Sequence, residues 1–149
     1  MASTRSRVAI VDTSVYVELL RHGRFQDELT ALPLLVRNSA VVLSELRRGA
    51  MLPRERRWID ELEGNHPVFS PGQAEWRRAG EILGKLRAAQ GFEPPKLRDL
   101  HWDALIALTA RAVGATLITC NRRDFELLRR HERFELEVWN APTLAPTRT

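Results

Sequence analysis

Four carboxylates stand out for where they fall in the chain. Asp12 closes the apolar run Val8-Ala9-Ile10-Val11, and Glu45 lies two residues beyond Ala40-Val41-Val42-Leu43. Asp124 lies five residues beyond Ala115-Thr116-Leu117-Ile118-Thr119, and Asp103 opens the stretch leading into that run. Each run is strand-like in length and content. In an open parallel sheet, ligands bind beyond the carboxyl ends of the strands, near the point where strand order reverses. Asp103 reaches the same edge if the loop before it returns the chain there. Four carboxylates at one sheet edge repel one another at neutral pH, and a divalent cation resolves the repulsion. Oxygen-only ligands select the hard ions Mg2+ or Mn2+. Such a centre supports phosphodiester hydrolysis, in which the metal polarises the phosphoryl oxygen, acidifies a bound water and steadies the leaving oxygen. It needs no nucleophilic side chain, and the sequence offers none with a convincing base partner.

Each acid taken alone also reads as a helix cap. All four fall near expected helix starts, where carboxylates bond free amides and complement the dipole. The catalytic reading therefore rests on the set. Thr13 and Ser14 are placed to cap the first helix and orient Asp12. Thr119 and Asn121 are placed to do the same for Asp124, with Asn121 three residues before it as in a capping box. Asp99, four residues before Asp103, reads as a solvated or capping acid. His101 and Trp102 flank Asp103, but a large aromatic there is more often core or interface than a base-stacking platform. His22, His66 and His131 lack metal-ligand spacing, and Cys120 reads as a small buried hydrophobe.

The elements that must position these groups alternate strand and helix. Val8–Val11 leads into a helix from Asp12-Thr13-Ser14 to about Leu20, stopped by His22-Gly23, and a second helix is expected from Phe25 to Ala31. Ala40–Leu43 reads as the second strand, with Ser44 capping a helix that carries Glu45. Pro53 opens a helix through Leu62, closed by Gly64-Asn65, and Pro67-Val68-Phe69 reads as a brief strand. From Gln73 to Gln90, Trp76, Ala79, Leu83, Leu86 and Ala89 recur at helical spacing. Gly91 ends that helix, and Phe92-Glu93-Pro94-Pro95 reads as loop. A helix from Asp103 to Ala112, a strand Ala115–Thr119, an Asn121-capped helix over about Arg122–Arg130 and an edge strand Leu136–Trp139 follow. The segment from Pro142 reads as a loose tail. This order predicts an α/β fold, with a short, mostly parallel central sheet flanked by helices on both faces. Nothing divides residues 1–149, so a single domain with a core over about 8–139 is expected.

Composition narrows the class. With 149 residues and 44% hydrophobic content the chain can bury one core. No apolar stretch is long enough for a membrane helix, and only four apolar residues separate Arg7 from Asp12, too few for a signal peptide. The single cysteine, Cys120, excludes an intrachain disulfide framework and a multi-cysteine zinc site. A cytoplasmic location is expected. A net charge of +4 suits a polyanionic partner, as do the arginine pairs Arg47-Arg48, Arg56-Arg57, Arg77-Arg78, Arg122-Arg123 and Arg129-Arg130. Taken singly, each pair is more often a solvated helix face.

The local contexts of the acids resemble the PIN-domain nucleases, and within them the VapC-type toxins of VapBC toxin–antitoxin pairs. Val11-Asp12-Thr13-Ser14 is similar to the opening hydrophobic-Asp-x-Ser of that family. Leu43-Ser44-Glu45-Leu46-Arg47-Arg48-Gly49 is similar to its second segment. Asp103-Ala104-Leu105-Ile106-Ala107, through Ala110, resembles its D-x-L-I-A helix, and Thr119-Cys120-Asn121-Arg122-Arg123-Asp124-Phe125 its T-x-N-x-x-D-F element. The last two motifs together carry most of the specificity. The resemblance implies a PIN-like fold, Mg2+ or Mn2+ dependence and endonucleolytic cleavage of RNA. It also implies a homodimer, and inhibition by a small VapB-like antitoxin whose C-terminal segment blocks the site. Carried over, Asp12, Glu45 and Asp103 form the main acidic set and Asp124 its fourth member. Two other readings stay open: a housekeeping PIN nuclease in RNA maturation, and a non-catalytic PIN-like module binding RNA or protein. A flavodoxin-like nucleotide binder is disfavoured by the lack of a Gly-rich phosphate loop after the first strand.

Overall fold

The computed structural model describes residues 7–141, so the tail expected from Pro142 lies outside the described residues. In chain order the elements are β1 (Val8–Val11), α1 (Thr13–His22), α2 (Gln26–Thr30), β2 (Leu35–Ser39), α3 (Ala40–Gly49), α4 (Pro53–Asn65) and β3 (Val68–Phe69). There follow α5 (Gln73–Gln90), α6 (Pro94–Ala112), β4 (Thr116–Thr119), α7 (Arg122–Arg129) and β5 (Glu135–Val138). The five strands form one sheet in the order β3-β2-β1-β4-β5, every pair parallel. Strand order reverses between β1 and β4, which makes that junction the expected ligand crevice.

The sequence dictates the sheet's burial. Ala9, Ile10, Val11, Leu117 and Ile118 are all buried, as continuous apolar runs must be when helices cover both faces. β5 alternates exposed Glu135 and Glu137 with half-buried Leu136 and Val138, the pattern of an edge strand. α6 is buried continuously from Ala104 to Ala110 and packs on α3, α5, α7, β2 and β4, so it is a central helix with little solvent face. α1 ends on Gly23 in the left-handed conformation (φ 63°), whose N–H reaches the carbonyls of Glu18 and Leu19. No helix of the described residues is long and apolar enough to cross a membrane.

Three sequence expectations are corrected. The second strand is Leu35–Ser39, and Ala40–Leu43 is instead the first turn of α3, capped by Ser39, whose hydroxyl accepts from the Val42 amide, rather than by Ser44. A four-residue apolar run does not distinguish strand from buried helix. Here Val41, Val42, Leu43 and Leu46 bury one helical side. Pro94 and Pro95 are not loop but the first two residues of α6, where a missing N–H costs nothing, so Asp103 lies in mid-helix. Finally, α2 begins at Gln26. Phe25 precedes it at φ 68°, its ring packed 5.5 Å from that of Trp139.

Candidate functional site

The parallel register of β1 and β4 pairs Val11 with Ile118, and the ladder continues as the Asp12 amide donates to the Ile118 carbonyl at 2.8 Å. Asp12 and Thr119 therefore emerge side by side at the carboxyl edge. The Thr119 hydroxyl donates to Asp12 Oδ2 at 2.8 Å, and the Ser14 hydroxyl donates to the same oxygen at 2.7 Å. Each hydroxyl is held in turn from behind: Ser14 Oγ accepts from the Cys120 amide at 3.0 Å, and Thr119 Oγ1 from the Asn121 amide at 2.9 Å. Asp12 is 4% exposed, and burial pushes its carboxyl above the usual range against the two hydroxyl bonds.

Glu45 stands in the middle of α3, beyond the reach of a cap position. Thr13, the first residue of α1, donates to Glu45 Oε1 at 2.9 Å and so ties the two helices together at the edge. Burial raises the Glu45 carboxyl, and the charges of Asp12 and Asp99 raise it further against Thr13 and Arg48. Asp103, in mid-α6, is pushed up to about 8, first by burial and then by the negative charges of Asp12, Glu45 and Asp124. Asp124 sits in the first turn of α7, buried, with Asn121 Nδ2 donating to its Oδ2 at 3.1 Å. Asn121 also caps α7 through the Asp124 amide. Lys96 Nζ meets both oxygens of Asp124 at 2.7 Å.

The four acids singled out in the sequence thus share one electrostatic environment at the junction of β1 and β4. Helix capping does not account for Glu45 or Asp103, which sit well inside their helices. The supporting residues are paired differently from the sequence expectation: Thr119 serves Asp12 rather than Asp124, and the Thr13 hydroxyl serves Glu45. The donor chemistry fits a hard divalent cation, since every acid offers only oxygen and, among the described residues, only Asp124 of the four is held in an ion pair, by Lys96. Among the described residues, no three acidic, histidine or cysteine side chains are drawn tightly enough together to make a preformed coordination set.

A family model described as the PIN domain matches residues 9–131, taking in all but the first residue of β1, the whole acidic edge and α7. The chain belongs to the PIN domain family. No curated protein matches it significantly. Its PIN domain is similar in fold to a chain of a VapBC complex from nontypeable Haemophilus influenzae, with TM-score 0.66 and 20% identity over 89% of this chain and 98% of that one. It is likewise similar to a chain of a Rickettsia felis VapBC complex bound to a promoter DNA fragment, with TM-score 0.63 and 22% identity over 89% and 99%. A third likeness is to a DNA-bound VapBC complex from Salmonella typhimurium, with TM-score 0.62 and 21% identity over 88% and 97%.

Around the acids of this PIN domain, the sequence reading missed Lys96. Its place after a proline pair read as loop hid that it lies in the first turn of α6, within reach of Asp124 on α7. Asp99 is exposed, yet its charge reaches Glu45. Trp102 packs against the core, and the half-buried His101 ring lies edge-on to Trp76. Of the arginine pairs, Arg47 bonds Asp60 and Glu63, Arg78 bonds Glu132, and Arg122 bonds Glu126, so these members are occupied within the fold.

Proposed function

We propose that this PIN domain is a Mg2+- or Mn2+-dependent endoribonuclease of the VapC type, the toxin of a toxin–antitoxin pair held inactive by a small VapB-like antitoxin. The observation that carries this reading is the meeting of Asp12, Glu45, Asp103 and Asp124 at one sheet edge, where three of them raise the proton affinity of the fourth. Asp12, Glu45 and Asp103 form the main set that would hold the cation, with Asp124 as the fourth acid of the edge. The toxin assignment is supported by the likeness, over nearly the full length of each matched chain, to proteins described as members of VapBC complexes. The family motifs at Asp103–Ala107 and Thr119–Phe125 support it independently.

The bound cation supplies Lewis acidity and a more acidic water, the two things phosphodiester hydrolysis needs. The protein's own part is to fix the ligands. Ser14 and Thr119 anchor Oδ2 of Asp12, and Thr13 holds Glu45. The hydroxyl donors also offset part of the cost that burial places on the charged form of these carboxylates, the form that binds a metal. In the hydrolysis, water oxygen bonds to phosphorus as one P–O ester bond breaks, and the departing oxygen takes up a proton. Exposed arginines such as Arg123 give sequence-independent grip on RNA phosphates. The protein acts in the cytoplasm, as a homodimer when free and as a hetero-oligomer with its antitoxin.

The test is cleavage of RNA by purified, antitoxin-free protein. Cleavage is expected with Mg2+ or Mn2+ and is stopped by EDTA. Asp12→Asn and Asp103→Asn each reduce it by at least about 100-fold while the circular dichroism spectrum is unchanged. Full activity in either variant, or in EDTA, contradicts the reading.

A further inference from the structure

Among the described residues, Lys96 is the cation bonded directly to an acid of this edge, and the reading above gives it no task. It is the third residue of α6, directly behind Pro94 and Pro95. Two consecutive pyrrolidine rings fix φ at the helix start, so the backbone that carries Lys96 is stiff. Its ammonium sits 2.7 Å from each oxygen of Asp124, and Asn121 Nδ2 adds a third donor to Oδ2. Protein donors therefore engage both Asp124 oxygens. The two ends of the ion pair also differ in access to solvent: the Asp124 side chain is 11% exposed and that of Lys96 39%. An ammonium carries three N–H donors. Two are used by Asp124, and the part-exposed ammonium has one left for another acceptor. The charge of Lys96 is also felt at Asp103, so the ammonium acts on the acid set beyond its own partner.

We propose that Lys96, aimed by Asp124, binds the phosphodiester that is cleaved, and that Asp124 is a positioning residue for this lysine while Asp12, Glu45 and Asp103 hold the cation. The assignment rests on the ribonuclease reading and deepens it. A phosphoryl group under attack spreads negative charge over its oxygens. A lysine ammonium is a compact point charge suited to such oxygens, and a fixed charge needs no reorganisation as that charge develops. An acidic edge repels a phosphodiester anion, so a cation held within it by a buried carboxylate gives the substrate a foothold. In this role Asp124 acts only through Lys96.

Three measurements on wild type, Lys96→Met, Lys96→Arg, Asp124→Asn and Asp103→Asn test this. The first is Mn2+ affinity by calorimetry. Asp124→Asn and Lys96→Met are expected within about threefold of wild type, and Asp103→Asn at least about tenfold weaker. The second is the salt dependence of binding to a single-stranded RNA oligonucleotide in EDTA, where cleavage is off. Lys96→Met is expected to lower the slope by about 0.7, the share of one phosphate contact. The third is single-turnover cleavage. Lys96→Met is expected to slow it about 100-fold. Lys96→Arg should restore part of the rate, and adding Asp124→Asn to Lys96→Met should cost nothing more. Mn2+ affinity in Asp124→Asn falling as far as in Asp103→Asn would make Asp124 a metal ligand and overturn the proposal. So would tighter Mn2+ binding in Lys96→Met, which marks Lys96 as a competing counter-ion, or an unchanged salt slope and rate. Wild-type protein that neither binds nor cleaves RNA overturns the ribonuclease reading instead, and the Mn2+ comparison still decides the place of Asp124. Lys96 is half-exposed and its variants should fold, so if Asp124→Asn does not, the Lys96→Met readings decide alone.

Discussion

Asp12 is held by two hydroxyls that are themselves held by the two amides following Thr119, so one motif, Thr119-Cys120-Asn121, fixes acids contributed by opposite ends of the chain. The types of these residues were legible in the sequence. Their pairing was not, because Thr119 and Asp12 lie 107 positions apart and only the strand register makes them neighbours. Lys96 was hidden for a similar reason, its partner Asp124 lying 28 positions away on another helix. Asp103 carries a consequence that can be measured. Its carboxyl titrates near 3.8 in an unconstrained chain and near 8 in the fold. Between those values the folded form holds a proton that the unfolded form has released, so raising the pH favours unfolding. In EDTA, thermal stability is therefore expected to fall as pH rises from 5 to 8. The slope is at most about 1.4 kcal/mol per pH unit, or about 3–5 °C in Tm for a chain of this size. Asp103→Asn should remove most of that slope, whereas an unchanged slope would place the burial penalty elsewhere. Saturating Mg2+ or Mn2+ should flatten it in the wild type, because a bound cation competes with the proton.

Elements were legible where periodicity ran long and ambiguous where apolar runs were short. α5 follows directly from the helical recurrence of Trp76, Ala79, Leu83 and Leu86, and β1 from its uninterrupted apolar content. β2 was displaced because its own residues include Arg37 and Asn38, which do not read as a buried strand. Asn38 is nonetheless buried, its amide donating to the carbonyls of Leu62 and His66, so tertiary partners satisfy what local sequence made look like loop. The shift matters for the site. It places Glu45 within α3, on the side that meets α1, instead of just past a strand. The start of α7 is the element most open to a direct test. Asn121 both caps the helix and bonds Asp124, so Asn121→Ala should cost about 1 kcal/mol and lower Tm by about 2–4 °C. Asn121→Ser, which keeps an acceptor for the cap, should recover most of the stability. A loss equal to that of alanine would show that the cap is not what holds the turn.

For the molecule as a whole, the parallel sheet with its order reversal between β1 and β4 explains why a chain this short assembles a site from four distant segments. Successive helices return each strand to the same direction, so the carboxyl ends collect at one edge. The α/β class and the parallel sheet could both be read from the alternation of elements. The strand order could not, since it depends on which faces α5 and α6 cover together. The modest positive charge of +4 sits on a surface where several arginines are already paired, so RNA affinity should come from a few free cations near the acidic edge. The claim beneath all of this is that Asp12, Glu45 and Asp103 hold one hard cation between them. Crystals soaked in Mn2+ and measured for anomalous scattering test it most directly. The expected result is a peak at the β1/β4 edge, about 2.1 Å from carboxylate oxygens of Asp12 and Asp103 and bonded to Glu45 directly or through water. A saturating soak that puts Mn2+ only on other surface acids would contradict the account.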